Sequence, residues 1–221
     1  MNGTIGKKLI VVGFFLFSLA LSPSEAAKSL YKGDVRKGEI QILKEDLVFG
    51  NKWYQFYNDK VKFPNGKEGT YIRLVPSQFS PQGFSGVAIL AVTKDDKIIL
   101  EKIFRHAPRK WLWEAPRGHW EAGESLLQTA KRELSEETGF RCETWKDLGI
   151  MMPYSGITSD HGKLFLAKDC IKTAEASDPE ETKRIHLRLF SLDEVMKMAE
   201  ESEIEDGITL SLLLKAQKFL K

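Results

Sequence analysis

The spacing of apolar residues changes along the chain, and each change marks a different kind of element. Leu9–Leu21 is an almost unbroken apolar run, LIVVGFFLFSLAL, preceded by Lys7 and Lys8 and followed by SPSEAA. From Lys28 to Pro81, aromatic and β-branched residues recur at short spacing between turn residues. DLVFGNKWYQFYNDKVKF therefore reads as strand, and VKFPNGKEGTYIRLV as two strands joined at Asn65-Gly66. GVAILAVT, IILEKIFR, WLWEAPRG, RCETWKDLGIM, KLFLAKD and RIHLRLF predict further strands. Within this series SLLQTAKRELSEETG switches to the helical period. Leu126, Leu127, Ala130 and Leu134 share one stripe, and Ser125 with Gln128 supplies a capping pair. Ser191 with Glu194 opens a second helix, and ITLSLLLKAQKFL predicts a last one. Strands interleaved with helices predict an α/β sandwich, with residues 82–221 as the main domain and 27–81 as a β-rich arm or subdomain.

Composition changes this picture little. Hydrophobic residues make up 42% and charged residues 29%, ordinary for a globular protein of 221 residues. The net charge of +2 gives no basic field for a polyanion, so no nucleic-acid partner is expected. The N-terminal run changes more. A basic start, a short apolar stretch and small residues near Ala26 are the layout of a secretory signal peptide over residues 1–26. Spanning a bilayer takes about 20 apolar residues, so a retained membrane anchor is the alternative and export to a periplasmic or extracellular space is the expectation. No stable membrane span is expected after cleavage.

Export permits disulfides. Cys142 and Cys170 stand at equal distances from Gly156, so a symmetric hairpin places them opposite each other. Pairing and two separate core cysteines both remain open.

The acidic residues of the first helix pose a sharper question. At 100° per residue Glu133 and Glu137 lie at the edge of the apolar stripe, with Glu136 just beyond them. Carboxylates beside a core repel one another and lose hydration unless cations neutralise them. A divalent metal held by hard oxygen ligands resolves this, with Arg132 fixing a carboxylate rotamer. From spacing alone, a solvated salt-bridge face is an equal alternative.

The full stretch is longer than those three residues. Gly118, Glu124, Arg132-Glu133, Leu134, Glu136-Glu137, Gly139 and Phe140 fill every fixed position of a pattern that resembles the Nudix box, GX5EX7REUXEEXGU with U apolar. The resemblance implies a Nudix-type α/β/α sandwich with a mixed sheet. It also implies Mg²⁺- or Mn²⁺-dependent hydrolysis of a nucleoside diphosphate linked to another group. Carried over by position, Glu133, Glu136 and Glu137 are metal ligands together with the carbonyl of Arg117, while Glu124 supports the metal cluster or its water. Such enzymes often draw their general base from a downstream loop; in SDPEET, Asp178, Glu180 and Glu181 are the candidates and Glu181 is the choice. A solvated acidic turn is the alternative reading of that loop.

The resemblance extends over roughly Gly86 to Phe219. FRHAPRKWLWEAPRGHWEAGES is similar to the ADP-ribose and nucleoside-diphosphate-sugar branch. It implies that Arg105 meets phosphate, that Glu114 lines the substrate site, and that Ser155 occupies the place of the branch's marker proline. A homodimer using the N-terminal arm is implied as well. Trp111 and Trp113 alternate along one strand, with core packing expected and base stacking as the alternative. A hydrolase of nucleoside triphosphates, dinucleoside polyphosphates or capped RNA, and an inactive binding module, are the competing functional readings. Loss of catalysis usually shows as a replaced box carboxylate, and none is replaced here.

Overall fold

A computed structural model describes residues 30–177 and 185–220. The signal-peptide segment, residues 1–26, and the candidate base Glu181 lie outside these described residues. Two sheets organise the rest. The smaller one holds β1 (Gln41–Lys44), β2 (Leu47–Gly50), β3 (Tyr54–Lys62) and β4 (Glu68–Pro76). β3 and β4 form the hairpin expected at Asn65-Gly66, with Gly66 at φ 83°, and β1 and β2 share the other edge of β3. This sheet reaches the main domain where Leu74 exchanges backbone hydrogen bonds with Ile157 and Ser159.

The larger sheet contains β5 (Gly86–Thr93), β6 (Ile98–Arg105), β7 (Lys110–Glu114), β8 (Arg117–His119), β9 (Phe140–Arg141), β10 (Thr144–Met151), β11 (Gly162–Lys172) and β12 (Ile185–Phe190). It is mixed: β11 runs parallel to β5, and the other pairings are antiparallel. Its faces are covered by different helices. Val87, Ile89 and Ala91 of β5 pack under Ala130 and Leu134 of α1 (Leu126–Thr138). Ala88, Leu90 and Val92 pack under α2 (Leu192–Glu200) and α3 (Gly207–Ala216). The strand alternation thus feeds two cores, and a fully buried side chain such as Leu134 or Leu212 stabilises its layer by about 2–3 kcal/mol. The expected α/β/α sandwich is what forms.

Local signals act as their chemistry requires. Ser125 caps α1 and Gln128 reaches back to the Ser125 N–H, a reciprocal pair that Ser191 and Glu194 repeat on α2. Gly139 ends α1 at φ 72°, and its carbonyl accepts from Thr173 and Ala174. Cys142 and Cys170 form a disulfide. The flanking pairs, Arg141 with Ile171 and Thr144 with Lys168, keep the register that symmetry about Gly156 predicts.

One packing expectation needs correction. Trp113 packs edge-on against Phe190 in the core, but Trp111 is 44% exposed and touches Phe104 and His186. Burial along β7 rises from Lys110 to Glu114, so this strand emerges from the sandwich at its first residues. Both tryptophans face the α2–α3 side of the sheet, away from α1.

A cleft in the sheet positions the site. β5 and β6 are bonded only at Val92–Ile98, next to their turn, and then separate. β8 continues along β5 on one side and β7 along β6 on the other. Ala115 and Pro116 carry the chain across the gap.

Candidate functional site

The site is assembled where α1 lies against β8. Alternation along β8 sends Gly118 towards α1 and the Arg117 side chain to the opposite face. Any side chain at Gly118 would collide with the Glu133 carboxylate, so glycine is what lets that carboxylate lie against the strand. Beside it, the Arg117 N–H donates to Glu137 Oε2 at 3.0 Å. Glu133 and Glu137 are buried, whereas the Glu136 side chain is 40% exposed. The stripe-edge placement expected from helical spacing is therefore real.

Arg132 holds the group together. Its Nε and Nη2 grip Glu124 at 2.8 and 3.1 Å, Nη1 donates to Glu133 at 2.9 Å and Glu136 at 3.1 Å, and Nη2 also donates to the His119 carbonyl at 3.0 Å. The Arg132 hydrogen bonds, assisted by the Thr129 hydroxyl, pull the Glu124 carboxyl below its usual range. The same carboxylate, followed by Glu133 and Glu136, raises the Arg132 guanidinium above its usual range against the opposing effect of burial. Trp120 Nε1 donates to the Glu124 carbonyl and fixes the loop from the outside.

Among the described residues, no three acidic, histidine or cysteine side chains are drawn into a ready-made metal cage, because Arg132 lies among the carboxylates. The donor set nevertheless fits a hard divalent cation. Three carboxylates line one helix edge, two of them sunk against a strand backbone with a side-chain-free glycine. Arg132 bonds two of those carboxylates, Glu133 and Glu136, and is itself gripped by Glu124.

The other sequence-derived residues fall in different places. Glu114 is only 1% exposed, clamped by Arg105 Nη2 at 2.7 Å and by the Arg117 guanidinium. Both arginines line the cleft between the two wings of the sheet, so Arg105 is brought to the site with a carboxylate partner already attached. Glu101 is buried opposite Glu114 on β6. Ser155 lies in the exposed turn Tyr154–Ile157, where the Tyr154 carbonyl accepts from the Ile157 and Thr158 N–H groups. A groove of about 600 Å³ runs beside α1, lined by Arg132, Glu136, Phe140, Trp145 and Ser177 among others.

Four contributors carried no local signal in the sequence. Trp53, from the small sheet, stacks on His119 with ring centroids 5.2 Å apart. Tyr54 approaches Asp160 and the His119 ring edge, and its hydroxyl is pushed up to about 12, first by burial and then by Asp160. Asp206 and Thr209, at the start of α3, bond to Arg117 and Ala115. All of these are contacts across long sequence separations, which periodicity and spacing do not encode.

Comparison with known proteins follows the same outline. A family model described as NUDIX domain matches residues 84–210. A protein named methanol dehydrogenase activator, from Bacillus methanolicus, is 29% identical over 185 residues, 83% of this chain and 96% of that one. An ADP-ribose pyrophosphatase from Bacillus subtilis (strain 168) is 29% identical over 171 residues, covering 77% of this chain and 89% of its own length. Among solved structures, a crystal structure of an ADP compounds hydrolase superposes with a TM-score of 0.68 over 82% of this chain and 94% of that chain, at 21% identity. The last likeness speaks for the fold.

Proposed function

Since the chain belongs to the NUDIX family, the match spanning more than half of its length, we propose that it hydrolyses the diphosphate of ADP-ribose or a related nucleoside diphosphate sugar, giving a nucleoside monophosphate and a sugar phosphate. The observation that carries this is the complete set of box carboxylates on α1, gathered by Arg132 beside Gly118. The substrate class is supported by the ADP-ribose pyrophosphatase matched along most of the chain.

Hydrolases of this family are generally dependent on divalent metal. Here Glu133, Glu136 and Glu137, with the Arg117 carbonyl, are the residues that would hold Mg²⁺ or Mn²⁺. When bound, the ion neutralises diphosphate charge and makes a water more acidic. The chain's own residues do the rest. Arg132 sets the rotamers of Glu133 and Glu136, and the Arg117 N–H sets that of Glu137. Arg105 offers a guanidinium at the cleft for the diphosphate, with Glu114 holding its plane, while the Arg117 guanidinium on the opposite face is engaged by Glu114 and Asp206. Water adds to one phosphorus, the bond to the bridging oxygen breaks, and a carboxylate takes the water proton. Glu181 is the proposed acceptor.

The experiment is a panel of ADP-ribose, GDP-mannose, UDP-glucose, diadenosine polyphosphates and nucleoside triphosphates, each with Mg²⁺ and read by product mass. AMP with ribose 5-phosphate from ADP-ribose is the expected result. Turnover confined to triphosphates or dinucleoside polyphosphates would overturn the substrate class.

Export and dimerisation belong to the same proposal. The Cys142–Cys170 disulfide supports an oxidising compartment. Among the described residues no helix is long and apolar enough to cross a membrane. N-terminal sequencing of the native protein should begin near Ala27; an intact Met1 would sink the cleaved form. The exposed apolar residues of the small sheet, Leu47, Val48, Phe49 and Trp53 among them, support a homodimer. Light scattering should give twice the chain mass.

A further inference from the structure

We infer that the start of α3, through Asp206 and Thr209, is a strut that positions the box carboxylate Glu137; both are positioning residues. The chain of bonds is continuous. Asp206 caps α3, its Oδ2 accepting from the Thr209 N–H at 2.9 Å and from the Thr209 hydroxyl at 2.7 Å. That hydroxyl in turn accepts from the Ala115 N–H at 2.9 Å, and Thr209 is fully buried. The other Asp206 oxygen accepts from Arg117 Nη1 at 3.1 Å. The two residues flanking Pro116 are thus both tied to α3. Between them, the Pro116 carbonyl accepts from the Ile89 N–H of β5.

This matters because Ala115-Pro116 bridges the two wings of the sheet, where ladder hydrogen bonds between β5 and β6 are missing. Arg117 is the first residue after the bridge, and its N–H is what Glu137 Oε2 accepts from. A shift of this segment moves the Glu137 carboxylate and the Arg117 carbonyl together. Thr209 performs a task that no apolar residue can share: it satisfies a buried N–H and passes the Asp206 charge to it. Its position about seventy residues after Phe140, the end of the box, kept it out of any motif. The inference rests on the proposed metal-dependent hydrolysis, because it assigns the strut's effect to a metal-holding residue.

Thr209→Val preserves shape and removes the hydroxyl, and Thr209→Ser restores it. Ser191→Ala is the control, since it removes the equivalent cap of α2 on the same face with no bond to the box segment. With the full chain, Thr209→Val should lower kcat about tenfold while KM stays within about twofold, and should weaken Mn²⁺ binding in calorimetry without nucleotide by a similar factor. Thr209→Ser should recover most of both, and Ser191→Ala should lower Tm with neither change. If Thr209→Val does not fold, Asp206→Asn carries the same comparison: it keeps an acceptor at the cap and removes the charge facing Arg117. Unchanged kcat and Mn²⁺ affinity in a folded variant would overturn the strut. If the wild type turns over none of the panel, the proposed hydrolysis fails, yet the difference in Mn²⁺ affinity between wild type and variant still decides the strut. No Mn²⁺ uptake by the wild type would overturn it as well.

Discussion

Seven of the eight residues of β5 are buried between two helical layers, whereas all four residues of β2 are exposed. The contrast is weaker for charge. Arg132 at the box binds Glu124, Glu133 and Glu136 in a half-buried setting, while the small sheet has one buried pair, Arg73–Asp59, and carries others, such as Lys44–Asp46, largely in solvent. Exposed pairs of that kind contribute ~0–1 kcal/mol, and four strands with few fully buried side chains, Asp59 and Val61 among them, are marginal alone. One region is fixed by its own packing and chemistry. The other borrows order from its contacts with the main domain, at Leu74, Trp53 and Tyr54. Damage to the first should therefore appear in chemistry or global stability, and damage to the second in local opening.

The largest test strikes the box alone. Glu137→Gln keeps an acceptor for the Arg117 N–H but removes the charge, so turnover of ADP-ribose should fall by about a thousandfold. The far-UV spectrum should be unchanged and Tm without metal equal or higher, since a repulsive charge is gone. Full activity in Mg²⁺ would remove Glu137 from the metal set. Next comes the staple of the main domain. Replacing Cys142 and Cys170 by Ser opens a link between residues separated by 28 positions. Stability should drop by about 3 kcal/mol, or roughly 6–12 °C in Tm, with activity at 25 °C within about twofold. A matching loss of hydrogen-exchange protection confined to the small sheet would contradict the division drawn above. Smaller again is Arg132→Lys. An ammonium cannot span Glu124, Glu133 and Glu136 at once, and kcat should fall about 10- to 100-fold with little change in Tm.

The two regions also differed in how far the sequence revealed them. In the box, a helix period, a capping pair and charges at the stripe edge lie within 23 residues of each other, from Gly118 to Phe140. Local geometry then sufficed to place Glu133 and Glu137 half-sunk beside the core. For the disulfide, symmetry about Gly156 left pairing and two separate core cysteines both open. The register that decides runs through the whole hairpin, including its irregularity between Asp147 and Gly149. The clamp of Glu114 by Arg105 and Arg117 was not open to local reasoning, since it depends on the sheet splitting after Val92–Ile98. Trp111 was misjudged for a related reason: alternation gives the face of a strand but not where the covering helix ends. Contacts such as Trp53 on His119 join elements that only the tertiary fold brings together.

The smallest test probes the seam between the regions through its one displaced titration. Tyr54 sits at the start of β3, and its hydroxyl approaches Asp160 Oδ2 at 3.4 Å beside Ser85, which also bonds to Asp160. Burial, and then the Asp160 charge, push the phenol from an ordinary value near 10 up to about 12. The folded pKa is raised, so the neutral phenol's contribution is fully present below about pH 10 and is lost as pH climbs towards 12. Discounted for partial exposure, this amounts to about 1–2 kcal/mol. Tyr54→Phe keeps the ring and removes the titration. Urea unfolding from pH 9 to 11.5 should therefore show a steeper loss for the wild type than for the variant, with the two curves converging at the alkaline end. If opening of the small sheet is separable from global unfolding, the steeper loss should appear in hydrogen exchange of β3 and β4 before it appears in the main transition. Parallel curves for the two proteins would mean that Tyr54 ionises as freely in the fold as outside it, and that the seam is wetter than the burial of this residue implies.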